Sequence, residues 1–245
     1  MQIVLISDTH ISTNLETRCY YQNPARNLEK VVAAIRQLDS QPDAILHAGD
    51  VAFMSGQPGD YLAASHILEP LGRMSVPIHY LMGNHDDLNY LSGTMAPDVV
   101  SPIENTHMAR VKTGPITWLM IDTAIACGEV TGSVGQPILD WIERQLATSP
   151  EETFMVMGHH HPNDPKRSDV AEDKGLVDTE EFLHFLDSHP RLIGYVHGHT
   201  HAWRHGRTEG GTWLINLPAT SWSFDEVRPH GWVLAEIQPD EITLT

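Results

Sequence analysis

The sequence predicts an α/β fold built around a largely parallel sheet. Short apolar runs at 3–6, 44–46, 78–82, 154–157 and 192–196 have the length of buried strands. Between the first three lie segments with apolar residues at helical spacing, the strand–helix–strand order of parallel sheets. A third observation concerns chemistry: each apolar run leads into a motif rich in Asp, His or Asn.

The elements follow in order. A strand over 2–6 is followed by a polar and aromatic loop over 12–23. Asn23-Pro24 reads as a helix N-cap with proline at the first helical position, where an N–H has no helical partner anyway. Leu28, Val31, Val32, Ile35 and Leu38 continue at helical spacing. A strand over 43–47 and a helix near 61–71 come next, the helix with Ile67, Leu68 and Leu71 on one face. The strand over 78–82 completes this pattern. Segments 107–113 and 116–122 flank Gly114-Pro115 and read as a hairpin. A helix over 137–146 places Ile138, Trp141, Ile142 and Leu146 together, before the strand at 154–157. Residues 162–177 read as a polar loop, 179–188 as a helix and 192–196 as a strand. The tail is β-rich, over 203–207, 212–216, 231–237 and 242–244. The motifs run from end to end, so one domain over 1–245 is expected.

Composition narrows the function classes. The 245 residues carry 15 Lys+Arg against 32 Asp+Glu, a formal net charge of −17. Nucleic-acid binding rests on cations that neutralise phosphates, so a long polynucleotide is not the expected partner. Two cysteines, Cys19 and Cys127, allow at most one bridge, and a reducing cytoplasmic setting is the simpler expectation. Cys127 is expected to be buried. No leader precedes the first strand, and no apolar run approaches the ~20 residues of a membrane helix, so neither a signal peptide nor a membrane span is expected.

The motifs are Asp8-Thr9-His10, Gly49-Asp50, Gly83-Asn84-His85-Asp86, Gly158-His159-His160-His161 and Gly198-His199-Thr200-His201. Strand ends along one sheet edge are where α/β proteins build their sites. Imidazole and carboxylate suit Zn, Fe, Mn or Co, and no thiolate is offered. Asp8, His10, Asp50, Asn84, one of the three consecutive histidines, His199 and His201 exceed what one tetrahedral ion takes. They suffice for two ions sharing a carboxylate. Two metals roughly 3.5–4 Å apart suit displacement at phosphorus, clamping attacking and leaving oxygens.

This ordered set resembles the calcineurin-like metallophosphoesterase family, over nearly the whole chain. Ile6-Ser7-Asp8-Thr9-His10, Gly83-Asn84-His85-Asp86-Asp87 and Leu217-Pro218-Ala219-Thr220 look most like its cyclic-nucleotide phosphodiesterase and glycerophosphodiesterase branch. The resemblance implies two mixed β-sheets packed as a sandwich and flanked by helices. It implies two divalent metal ions and hydrolysis of a small phosphodiester by metal-held hydroxide. Asp8 and His10 would serve one metal, Asn84 and His199 the other, and His201 the first, with Asp50 bridging. His85 would be the proton donor or charge stabiliser; beside it Asp86 reads either as a carboxylate that orients its ring or as a solvated turn acid. Counting back from Pro162 makes His160 the ligand, with His159 the alternative if the register slips by one. Alternation along extended chain would place Asp8 with His10, and His199 with His201, on common faces.

The protein Ser/Thr phosphatases of that fold carry G-D-x-V-D-R-G and R-G-N-H-E, from which Gly49-Asp50-Val51-Ala52-Phe53 and Met82-Gly83-Asn84-His85-Asp86 depart. A phosphomonoesterase and a metal-free interaction scaffold stay open as alternatives. A DNA-repair nuclease would want a basic groove and a capping domain. Relatives often dimerise, so a homodimer is an open expectation that no segment marks. Tyr20, Tyr21, Trp222, Phe224, Arg228 and His230 are candidates for substrate contact. His197 reads as a core or supporting histidine, and His47, which has no motif context, as a structural or surface residue.

Overall fold

The computed structural model describes residues 1–97, 99–163, 174–224, 229–238 and 241–245. Arg228 and most of the 162–177 loop lie outside the described residues.

β1 (Gln2–Ile6), β2 (Ala44–His47) and β3 (Ile78–Tyr80) are parallel, as the alternation predicts. β10 (Val233–Ile237) and β11 (Ile242–Leu244) extend this sheet antiparallel on the far side of β1, in the order β11-β10-β1-β2-β3. The second sheet centres on parallel β5 (Ile116–Met120), β6 (Thr153–Met157), β7 (Leu192–His197) and β9 (Trp213–Asn216). Antiparallel β4 (Ala109–Thr113) and β8 (Arg204–Arg207) form its edges, in the order β4-β5-β6-β7-β9-β8. The parallel reading thus holds for the middle of each sheet. The antiparallel edges come from the hairpin and the β-rich tail.

Period-two alternation in β1 explains the layering. Ile3 and Leu5 join Leu46, Trp118, Met120, Met155, Met157 and Val196 in the core between the sheets. Val4 and Ile6 face the other way, onto α1 (Pro24–Ile35) and α2 (Pro58–Gly72). The outer face of the second sheet packs Leu119, Ile121, Phe154 and Val156 against α4 (Gly135–Thr148) and α5 (Thr179–Ser188). Strands buried on both faces read as continuous apolar runs, which is why they were legible. Asn23 caps α1 through Oδ1, which accepts from Arg26 N at 2.9 Å. Such a cap is worth about 1 kcal/mol.

α3 (Leu88–Met95) was not expected. Asp87 caps it by accepting from Asn89 N and Tyr90 N, but Ser92, Gly93 and Thr94 are poor helix formers and hide it. No helix among the described residues is long and apolar enough to cross a membrane.

Candidate metal centre

The site forms where β1, β2, β3, β6 and β7 deliver their C-terminal loops. Those loops are laced together by backbone. Asp8 N donates to Gly49 O at 3.0 Å, and His10 N to Asp50 O at 3.0 Å. Gly198 N donates to His159 O at 3.1 Å, and Ser221 N to Asp8 O at 3.1 Å. Two glycines permit this closeness. A Cβ at Gly83 would overlap Asp50 Oδ1, and one at Gly198 would overlap Ser7 Oγ.

Asp8, His10, Asp50, His199 and His201 all have positive φ, between +47° and +69°. Side chains are thus aimed by left-handed kinks and not by strand alternation. Strand alternation therefore does not account for how Asp8 meets His10, and His199 and His201 go to different groups rather than to a common one. Each such residue carries strain of order 1 kcal/mol, and strain of this kind gathers at functional sites.

Two groups of donors result. In the first, His201 Nε2 lies 3.5 Å from Asp8 Oδ1 and 3.1 Å from His10 Nε2. In the second, His159 Nε2 lies 3.3 Å from Asp50 Oδ2 and 3.3 Å from His199 Nδ1. Asp50 Oδ2 also lies 3.5 Å from His10 Nε2, which links the groups. His85 completes a third set with His10 and Asp50. Within each set the donor atoms lie within 4.8 Å of one another. Asn84 Oδ1 is buried and makes no hydrogen bond.

The outer nitrogens fix what the inner ones can do. His201 Nδ1 donates to Trp222 O at 2.8 Å, and His159 Nδ1 to Ala48 O at 2.8 Å. His199 Nε2 donates to Lys174 O at 3.1 Å, and His85 Nδ1 to Met54 O at 2.7 Å. A carbonyl can only accept, so each ring carries a hydrogen outward, and in the neutral ring the inner nitrogen offers a lone pair. Lone pairs and carboxylate oxygens that converge at 3.1–3.5 Å suit a divalent cation. Together with the unpaired Asn84 oxygen, the residues fit the implied metals.

His160 does not join this convergence. Thr123 Oγ1 accepts from His159 N and His160 N, both at 3.2 Å, and is left to donate to His160 Nδ1 at 2.8 Å. That bond draws the His160 ring toward Gly132, where a Cβ would overlap it. The histidine immediately after Gly158 is the one that meets Asp50.

Asp86 also differs from the expectation. Its carboxylate accepts from Val51 N, Ala52 N, Gly83 N and Tyr61 Oη, at 2.9–3.2 Å. It clamps the Asp50 loop to the Asn84 loop, while His85 is anchored by Met54. Burial and the nearby Asp50 charge hold Asp86 above the usual carboxylate range, against its backbone donors.

Residues 1–203 match the family described as calcineurin-like phosphoesterase. The chain belongs to this family. A cyclic AMP phosphodiesterase, CpdA, of Pseudomonas aeruginosa is 28% identical over 223 residues, 91% of this chain and 77% of that one. A glycerophosphodiester phosphodiesterase, GpdQ, of Enterobacter lignolyticus is 27% identical, covering 94% of this chain and 82% of its own. A solved dimetal phosphatase from Danio rerio superposes with a TM-score of 0.75 at 15% identity, over 99% of this chain and 94% of that one. That last likeness shows the phosphoesterase fold.

Electrostatics single out one ring in this phosphoesterase, since burial holds His199 as well as His10 well below the usual range. Burial would depress His159, but the Asp50 and Asp8 carboxylates outweigh it and carry the ring up to about 9. Asp50 is held down by His159 and His10 in spite of burial.

Three supporting residues carry no motif signal in the sequence. Buried His47 accepts from Gly49 N at 3.1 Å through Nδ1 and meets Thr9 Oγ1 at 3.0 Å through Nε2, tying both ligand loops to β2. Burial lowers its ring to about 3, so it is neutral. Thr123 and Tyr61 come from segments without motif character. Buried Trp222 lies 4.4 Å from His10 and 4.9 Å from His201, ring to ring. Cys127 is exposed, contrary to expectation, and both cysteines are free.

Proposed function

We propose that this chain is a dinuclear, metal-dependent phosphodiesterase for small diesters of the cyclic-nucleotide or glycerophosphodiester type. The observation that supports it is the pair of carboxylate–histidine groups joined through Asp50. Asp8, His10 and His201 would hold one cation, Asn84, His159 and His199 the other, with Asp50 shared. His159 takes the ligand place for which counting from Pro162 pointed to His160. When bound, two divalent ions activate water and neutralise charge on phosphoryl oxygens.

The chain's own residues do the rest. His85 lies with His10 and Asp50 while its Nδ1 is committed to Met54. It therefore offers a hydrogen from Nε2 only as the imidazolium, which suits release of an alkoxide leaving group. Asp86 is a positioning residue that keeps Asp50 and Asn84 in register. The net charge of −17 opposes a polyanion, whereas one diester carries a single charge.

The test is a substrate panel on protein loaded in turn with Mn, Zn, Fe or Co: cyclic nucleotides, glycerophosphodiesters, aryl diesters, monoesters and duplex DNA. Small diesters are expected to be cleaved fastest, with little salt dependence. Faster cleavage of monoesters or DNA would overturn the reading. Absence of metal uptake would favour the scaffold alternative.

A further inference from the structure

The rim beside His10 and His201 carries exposed rings, continuous with the Trp222 indole, that have no part in holding the metals. Tyr20 and Tyr21 are the central residues of a two-residue hairpin. Cys19 and Gln22 close it with two backbone hydrogen bonds of 2.9 Å. Both tyrosines have positive φ, +46° and +65°. Asn-Gly is the preferred pair in such a turn, and bulky side chains are outliers there. Strain of this kind persists only where its surroundings hold it.

Asn27 does the holding. Its buried Nδ2 donates to Gln22 Oε1 at 3.1 Å and to Ser221 O at 2.7 Å. The hairpin is thereby fixed to the segment that carries Trp222 and Phe224. Tyr20 lies 6.4 Å from Trp222 with the rings 23° from parallel. Phe224 stands edge-on to Tyr20 at 5.3 Å and lies 4.7 Å from His201. Tyr20 and Phe224 are each 54% exposed. The rings descend from open solvent at Tyr20 and Phe224 to buried Trp222 against His10. Grouped, solvent-exposed apolar rings mark ligand or partner contacts. Their faces and edges suit another planar π system.

We propose that Tyr20, Trp222 and Phe224 form a slot for a planar aromatic ester group, a nucleobase or aryl ring, of a diester held at the Asp8–His10–His201 half. This rests on the diester reading above. Glycerol and other alkyl groups gain less from the slot, because they have no π face. Asn27 is a positioning residue for it.

The test separates the slot from hydrolysis. In the double variant Tyr20→Asn with Tyr21→Gly, the hairpin keeps its preferred residues and loses its rings. Phe224→Ala removes the second ring independently. Equilibrium binding of AMP and of ribose 5-phosphate to metal-loaded protein is measured by calorimetry, with 4-nitrophenyl phosphate as the aryl arm. Wild type is expected to bind AMP or the aryl phosphate roughly tenfold more tightly than ribose 5-phosphate, the scale of one stacked base. Both variants are expected to lose that preference, with Tm of the double variant at or above wild type. Tyr20→Phe, which keeps the ring, is expected to retain it. The ratio of KM for aryl to alkyl diesters should rise in parallel. Equal affinities in wild type, or an unchanged preference in the variants, would overturn the slot. Absence of diester cleavage by wild type would instead remove the underlying reading, while the binding comparison still decides the slot.

Discussion

The two halves of the cluster differ in what holds their histidines. In the Asp8–His10–His201 half, both rings lie against the Trp222 indole; the Trp222 carbonyl fixes only His201, and His10 Nδ1 is buried with no hydrogen bond. In the Asp50–His159–His199 half, every ring is fixed by a carbonyl, Ala48 for His159 and Lys174 for His199. The first half thus leaves one ring, His10, to packing, whereas the second fixes both of its rings by hydrogen bonds. Packing sets distance but leaves a ring free to tilt, whereas a hydrogen bond sets tautomer and direction. The hydrogen-bonded half should therefore be the more sensitive to single polar changes.

Asp50→Ala should break the comparison outright, since it removes the link between the halves. Activity should fall to background, and metal analysis should show both equivalents weakened. A variant that keeps two ions and near-native turnover would sink the shared assignment.

The next effect is confined to one half. His159→Ala should lose one metal equivalent and retain the other. His160→Ala should keep both, because its ring serves Thr123. Metal content after dialysis distinguishes them, and the reverse pattern would restore His160 as the ligand.

His85→Ala should leave both halves loaded and lower kcat by about 10²–10⁴, the range for a general acid. The loss should be larger for alkyl than for activated aryl leaving groups. Loss of metal instead would make His85 a ligand of the His10–Asp50 set.

Asp86→Ala should act through stability. It strands buried backbone donors and the Tyr61 hydroxyl, each worth about 1–3 kcal/mol. With partial rescue by water, a loss of ~3–5 kcal/mol, or roughly 6–20 °C in Tm, is expected. An unchanged melting curve would mean the clamp is dispensable.

The smallest change sharpens the contrast. Trp222→Leu keeps the carbonyl that fixes His201 but removes the indole. Metal affinity of the first half should fall about 10–100-fold, as for other supporting contacts. The second half should be unaffected, and equal weakening of both would erase the distinction drawn here.

How much of this was legible in the sequence follows the same physics. Strands and their terminal motifs were readable because buried parallel strands are apolar throughout and end in charge. The ligand types were readable for the same reason. The aim of each side chain was not. His159 and His160 are chemically identical, and the choice between them rests on Thr123, 36 residues away from His159. Asp86 looked like a partner for its neighbour His85. It is instead used by Val51 and Ala52, distant in sequence and drawn close by the register of β2 and β3. α3 was hidden because one capping carboxylate at Asp87 offsets weak propensity across Ser92-Gly93-Thr94.

Asp8 is near the start of the chain, yet its carboxylate accepts from His199 N, 191 residues later. The segment that carries Trp222 then closes against Asp8 O through Ser221. During synthesis at about 5–20 residues per second, the first ligands wait many seconds for their partners. The first group cannot assemble until His201 and Trp222 have left the ribosome. Metal uptake by that group is therefore a late event. Its first ion requires that the chain has been made through Trp222, so a product truncated before His201 would carry Asp8 and His10 without the means to load them.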